Sequence, residues 1–218
     1  MEIKVQKNIL QTNEDYANRC RSLIKQNNIY MIDLMGSPGS GKTTLLEQTI
    51  KVLGNTLKIG VIEGDLSTDI DRERIRSHGV QAVQVNTGKG CHLNAKMVYD
   101  ALQELNLKEL DIIFLENVGN LVCPAEFNLG QDEKIVVLST PEGEEKPLKY
   151  PIIFRTSKAI VINKIDLLPY VSFDMEKLNN NIENINPGAV KFEVSATKGT
   201  GMDGWIDYLK SRIPKSHP

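Results

Sequence analysis

The run Gly36-Ser37-Pro38-Gly39-Ser40-Gly41-Lys42-Thr43 has the residue types and spacing of a loop that wraps phosphates. Glycines let the backbone curl until its N–H groups converge on the oxyanions, and a helix that follows directly adds the positive end of its dipole. Gly36, Ser37, Gly39, Ser40 and Gly41 then line the phosphate cradle, with Thr44 just behind them at the start of the helix. Lys42 reaches the β- and γ-phosphates, and the Thr43 hydroxyl is placed to hold Mg²⁺. Context decides whether such a pattern counts: here an apolar run at 29–35 precedes it and an apolar-periodic segment at 44–53 follows it, as strand, loop and helix require.

Asn163-Lys164-Ile165-Asp166 follows directly on a strand-like run and supplies chemistry for reading a base. A carboxylate at Asp166 accepts two hydrogen bonds from the N1–H and 2-amino group of guanine, a donor pair that adenine lacks. Asn163 and Lys164 brace the loop and cover the ring. Ser195-Ala196-Thr197-Lys198, after the last strand-like run, is similar to a further base-contacting segment of GTP-binding proteins. The expected nucleotide is therefore GTP, with GDP as product. Two acidic segments can complete a magnesium site, the one from Glu63 to Asp71 and the one opening at Glu116. Hard Mg²⁺ takes oxygen ligands and keeps several waters, so one or two carboxylates beside Thr43 suffice, and Asp65 and Glu116 are the first choices. Asp71 either orients the attacking water or, like Asp69, is an acid placed at a helix N-terminus. Arg72, Arg74 and Arg76 read as a solvated helix face or as the source of a transition-state arginine.

Cys91-His92 and Cys123-Pro124 form a third group. Should their loops meet, two thiolates and an imidazole converge, a donor set that suits Zn²⁺ or Ni²⁺ and leaves one tetrahedral position open. Adjacent Cys-His is no spaced metal motif, however, and cysteines are often simply buried. Cys20 lies on the apolar face of a helix and reads as core. His78 and His217 suggest no chemistry.

These groups must be positioned by elements, and the elements alternate. Short β-branched runs at 58–63, 80–85, 111–116, 135–139, 159–163 and 190–194 read as buried strands, and helical patterns at 69–77, 93–107, 173–185 and 202–213 fall between most of them. An α/β P-loop NTPase fold is expected, a doubly wound and mainly parallel sheet with helices on both faces. An amphipathic helix at about 12–26, capped by Thr12 or Asn13, precedes it, and the stretch 140–151 is expected as a loop. The 218 residues suit a single domain, 1–218, with that first helix packed on it. A formal net charge of -2 gives no global pull toward nucleic acid or anionic membrane. No apolar run approaches the roughly 20 residues of a membrane span, and the start lacks a signal-peptide core, so a cytoplasmic setting is expected. Three cysteines are too few and odd in number for a disulfide framework.

Together the strings Gly88-Lys89-Gly90-Cys91-His92-Leu93, Glu116-Asn117-Val118-Gly119-Asn120-Leu121-Val122-Cys123-Pro124, Lys146-Pro147-Leu148-Lys149-Tyr150-Pro151 and Asn163-Lys164-Ile165-Asp166, with the P-loop and Glu63-Gly64-Asp65, make nearly the whole chain resemble the HypB family. These are the nickel-incorporation GTPases of hydrogenase maturation, related to the urease accessory GTPase UreG. The resemblance implies a GTP-hydrolysing metallochaperone that dimerises on binding GTP and carries metal at the dimer interface on residues matching Cys91, His92 and Cys123. It implies a HypA-type metallochaperone and the [NiFe]-hydrogenase large subunit as partners. Many relatives also carry an N-terminal cysteine motif or a histidine-rich stretch for nickel, and these residues contain neither. Rival readings are a related chaperone for urease or a cobalamin-dependent mutase, a nucleotide kinase, which would need an acceptor pocket and an arginine-rich lid, and a structural metal module that no longer hydrolyses GTP.

Overall fold

The computed structural model describes residues 2–65, 75–88 and 90–214. Seven strands run in one fully parallel sheet: β1 (Tyr30–Gly36), β2 (Ile59–Asp65), β3 (Gln81–Asn86), β4 (Ile112–Glu116), β5 (Glu133–Ser139), β6 (Ala159–Asn163) and β7 (Val190–Glu193), in the order β3-β2-β4-β1-β5-β6-β7. β1, β4 and β6 are buried along their whole length, which is why they read as near-continuous apolar runs and not as alternating ones. Strand order reverses at β1, between β4 and β5, and that switch point opens a crevice at the carboxyl edge of the sheet.

The helices among the described residues are α1 (Glu2–Gln26), α2 (Lys42–Leu53), α3 (Ala95–Gln103), α4 (Cys123–Glu126), α5 (Lys146–Lys149), α6 (Pro151–Thr156), α7 (Met175–Ile185) and α8 (Met202–Arg212). On one face of the sheet Ile32, Leu34 and Phe114 pack with Leu45, Leu46 and Ile50 of α2 and with Trp205 and Leu209 of α8. The other face holds two apolar clusters. One joins Met31, Ile113 and Leu115 to α1 and α3 through Cys20, Ile24, Val98 and Leu102, and the other joins Met35, Val136 and Ile160 to Phe154 of α6 and Leu178 of α7. Tyr16 on α1 and Tyr99 on α3 pack ring to ring at 5.7 Å.

Three expectations change in detail. Helix α1 starts at Glu2 and not near Thr12, so Asn13 is no cap: it lies inside the helix, donates to the Asn128 carbonyl at 2.8 Å and accepts from the Ala95 N–H at 2.9 Å. A short polar side chain that reads locally as a cap serves equally well as a tertiary hydrogen-bonding group. The stretch 140–151 is folded: Thr140–Glu142 is a 3₁₀ turn held by a capping box between Ser139 and Glu142, and α5 follows it. Finally, the helix expected at 93–107 is capped by Asn94, whose side chain accepts from the Met97 N–H at 3.0 Å, so Cys91 and His92 stand in the bend ahead of it.

Candidate functional site

The P-loop leaves β1 at the switch point, and its glycines do what that path requires. Gly39 and Gly41 have φ of 77° and 93°, in the left-handed region, and a Cβ on Gly41 would run into the Asn163 amide. Lys42 is buried and its Nζ lies 3.4 Å from the carbonyl oxygens of both Gly36 and Ser37. Ser40 Oγ is enclosed, with no hydrogen-bond partner among the described residues, an orphan that fits a phosphate-binding cradle. Thr43 Oγ1 donates to Glu116 Oε1 at 2.7 Å, so the expected pair from α2 and β4 does meet.

A cleft of about 290 Å³ runs from the P-loop to β2 and β4 and is lined by Lys42, Thr43, Glu63 and Glu116. Glu63 and Glu116 are buried and are register partners on adjacent strands. Two enclosed carboxylates beside a threonine hydroxyl form an oxygen donor set that fits a hard divalent cation, because like charges so placed favour a cation between them. Sequence reasoning preferred Asp65 to Glu63. Asp65 ends β2, where its backbone pairs with Asn86, and its side chain lies outside the described residues, as do Asp69, Asp71, Arg72 and Arg74 entirely. Glu63, two residues before Asp65 on the same face of β2, is a further carboxylate that strand alternation offers to this cleft. Arg76 holds the Ala82 carbonyl through Nε and a terminal nitrogen at 3.2 and 3.0 Å, a structural anchor for β3.

At the other side of the P-loop, Asn163 knots three segments together. Its Nδ2 donates to the Ser40 carbonyl at 3.0 Å, and its Oδ1 accepts from the backbone N–H of Lys164 and of Ala196, at 2.8 and 3.1 Å. Lys164, in left-handed backbone, places Nζ 2.6 Å from the Gly39 carbonyl. Asp166 lies in the first turn of the 3₁₀ segment Ile165–Tyr170, and Ser195 is wholly buried beside Ala196. Lys149 is exposed and pairs with Glu145, the residue just ahead of α5, at 3.4 Å.

Cys91, His92 and Cys123 also come together, which spacing alone left open. Their ligand atoms all lie within 4.8 Å of one another, and the two Sγ atoms are 2.7 Å apart. Two donors about 2.0–2.3 Å from one tetrahedral ion stand roughly 3.5 Å apart, so small side-chain shifts would seat an ion. The ring of His92 stacks on Phe127 at 3.9 Å, and burial lowers its pKa against the opposing pull of Glu126, which favours the neutral, ligating imidazole. The Cys91 thiol sits above its usual value, first through its hydrogen bond with Cys123 and then through burial. Asn120 ties this corner to the P-loop: its backbone N–H donates to the Gly36 carbonyl at 2.9 Å and its Nδ2 to the Cys91 carbonyl at 3.2 Å. Cys20 stays apart, its thiol pushed up to about 12 by burial and aimed at the Ala95 carbonyl.

The family description "CobW/HypB/UreG, nucleotide-binding domain" matches residues 30–193, the span from β1 through β7. The hydrogenase maturation factor HypB of Escherichia coli K12 is 47% identical over 96% of this chain and 72% of its own length. The chain belongs to the HypB family. Among solved structures, HypB from Archaeoglobus fulgidus superposes with a TM-score of 0.87 at 40% identity, covering 93% of this chain and 98% of that one. HypB from Helicobacter pylori, determined in complex with nickel, superposes at 0.88 with 35% identity, covering 95% and 99%. The fold of this HypB-family chain is thus that of a P-loop nucleotide-binding protein. Among its described residues no helix is long and apolar enough to cross a membrane.

Proposed function

We propose that this chain is a GTP-hydrolysing metallochaperone that helps insert nickel during [NiFe]-hydrogenase maturation. Lys42 and the P-loop amides hold the phosphates, Asn163, Lys164, Asp166, Ser195 and Ala196 surround the guanine, and Thr43, Glu116 and Glu63 or Asp65 hold Mg²⁺. When bound, Mg²⁺ offsets the charge gathered between the phosphates and these carboxylates. Cys91, His92 and Cys123 carry the cargo, Ni²⁺ or Zn²⁺, and their open fourth position suits exchange with a second subunit or a HypA-type donor on the way to the hydrogenase large subunit. The observation that carries this reading is the short strand-end segment that bears both chemistries: Glu116, bonded to Thr43, begins it and Cys123, beside Cys91, ends it. A change at the γ-phosphate that moves Glu116 therefore moves a cargo ligand, and hydrolysis becomes a release signal. The work is cytoplasmic on this reading, in a GTP-dependent homodimer in which each subunit is one folding unit spanning residues 1–218.

Size-exclusion with light scattering and metal analysis, in GDP and in a non-hydrolysable GTP analogue, tests the coupling. A dimer that forms only with the analogue and carries nickel lost in Cys91→Ser/Cys123→Ser is the expected result. Lys42→Ala should stay monomeric in both nucleotides, and a nucleotide-independent mass with unchanged nickel content would overturn the proposal.

A further inference from the structure

The face of the sheet that carries two apolar clusters is interrupted between them by buried polar side chains with no part in holding nucleotide or cargo. Asp33 follows Met31 and precedes Met35 on that face of β1, and it is fully buried. Its register partner on β5 is Lys134, 9% exposed, and Asn117, 1% exposed, lies beside it at the end of β4. An apolar residue at each position would continue the surrounding core. Buried charges are weak evidence for stability, since the loss of hydration offsets their attraction and apolar replacement is often neutral or stabilising. What the charges hold is then the informative observation.

Each holds one of the two loops that bear the thiols. On the Cys91 side, Asn117 Nδ2 donates to Asp33 Oδ1 at 3.0 Å while Asn117 Oδ1 accepts from the Leu93 N–H, also at 3.0 Å, one residue past His92. On the Cys123 side, Lys134 Nζ donates to the Pro124 and Ala125 carbonyls at 3.0 and 2.9 Å, the two residues directly after Cys123. The loops are 32 residues apart in sequence and Cys91 is exposed, and their direct tie near the thiols, Asn120 Nδ2 to the Cys91 carbonyl at 3.2 Å, is itself exposed, so firm anchorage has to come from the buried groups behind them. We infer that Asp33 and Lys134 are positioning residues for the Cys91–His92–Cys123 site, two buried charged residues at partner register positions on adjacent strands from which the two ligand loops are suspended. The claim rests on the reading of that trio as a cargo site, and it adds what sets the bite of that site.

The test removes both charges at once, in Asp33→Leu/Lys134→Met, so that no buried charge is left alone. The double variant is expected to fold with GTP KM near wild type and a modestly lower thermal midpoint, because the Asn117 amide and the Pro124 and Ala125 carbonyls lose a partner. Nickel affinity, measured with Ni²⁺ alone, should fall by roughly 10- to 100-fold, the range for partners that orient metal ligands, with a weaker and shifted thiolate-to-nickel absorption band. Lys134→Arg, which keeps the charge and donors, should recover most of the affinity and the band. A second probe needs no nickel. Phenylarsine oxide captures two nearby thiols by forming two As–S bonds, its oxygen leaving as water with the two thiol protons. Capture by Cys91 and Cys123 should slow at least tenfold in the double variant. Nickel affinity and capture rate both at the wild-type level would overturn the inference. If the wild-type chain binds no nickel through these residues, the cargo reading fails by itself, and slowed capture still supports the positioning role while unchanged capture refutes it. Should the double variant not fold, Lys134→Met alone, read by capture, decides in the same way.

Discussion

Asp33 is a carboxylate enclosed in the middle of a strand, and burial pushes its pKa up to about 6 although Lys134 and the Asn117 amide pull the other way. The unfolded chain ionises this group near 3.8, so between roughly pH 4 and 6 the native state holds the extra proton. Stability from Asp33 is therefore complete below the unfolded value and is lost as pH rises through the folded one. Its size is on the order of 1–3 kcal/mol. Asp33→Asn, which stays neutral, should lack this component, and the difference in denaturation free energy between the two proteins should grow across pH 4–6 and level off above. A difference independent of pH would mean that Asp33 titrates as an exposed acid does. Residue types announced the phosphate loop because that job is done by neighbours in sequence. Asp33 and Lys134 gave only the faint signal of a charge inside an apolar run, and Asn117 lay within a string whose cysteine drew more attention. Glu63 and Asp65 stand on one face of β2, and the sequence does not say which carboxylate reaches the cleft beside Thr43.

At the scale of elements, the proposed coupling would run through the segment from the end of β4 to α4, whose fit against the P-loop is tight. A Cβ on Gly119 would stand 2.9 Å from three Pro38 atoms, two of them backbone. Gly119→Ala must push the loops apart, and the expected result is about tenfold weaker guanine-nucleotide binding, or roughly 1.4 kcal/mol, at unchanged helix content. Calorimetry reads it directly, and an unaltered affinity would mean that the two loops move independently. The elements themselves were largely legible. Every expected strand is present within a residue or two, because runs buried on both faces leave a continuous apolar trace. Boundaries fared worse where a polar side chain had two uses: Asn13 served a tertiary contact inside α1, while Asn94 capped α3 and left Cys91 and His92 in a bend.

Taken whole, the molecule has its sole tryptophan, Trp205, in the core between α2 and α8, hydrogen-bonded through Nε1 to Thr49 at 2.9 Å, while α1 and α3 cover the opposite face. If 1–218 is one folding unit, tryptophan fluorescence and far-ultraviolet circular dichroism should report one coincident denaturant transition. Separate midpoints would split α1 and its face from the rest. The succession of strands and helices along the chain and the P-loop were legible in the sequence itself, since hydrophobic periodicity and the geometry of a phosphate-wrapping loop act between residues close along the chain. Whether Cys91, His92 and Cys123 meet was decided only by the tertiary structure. Their loops hang from different strands, and the distance between the sulfurs depends on sheet order, on register and on the buried groups that hold those loops, none of which is a local property of the residues that bear the ligands.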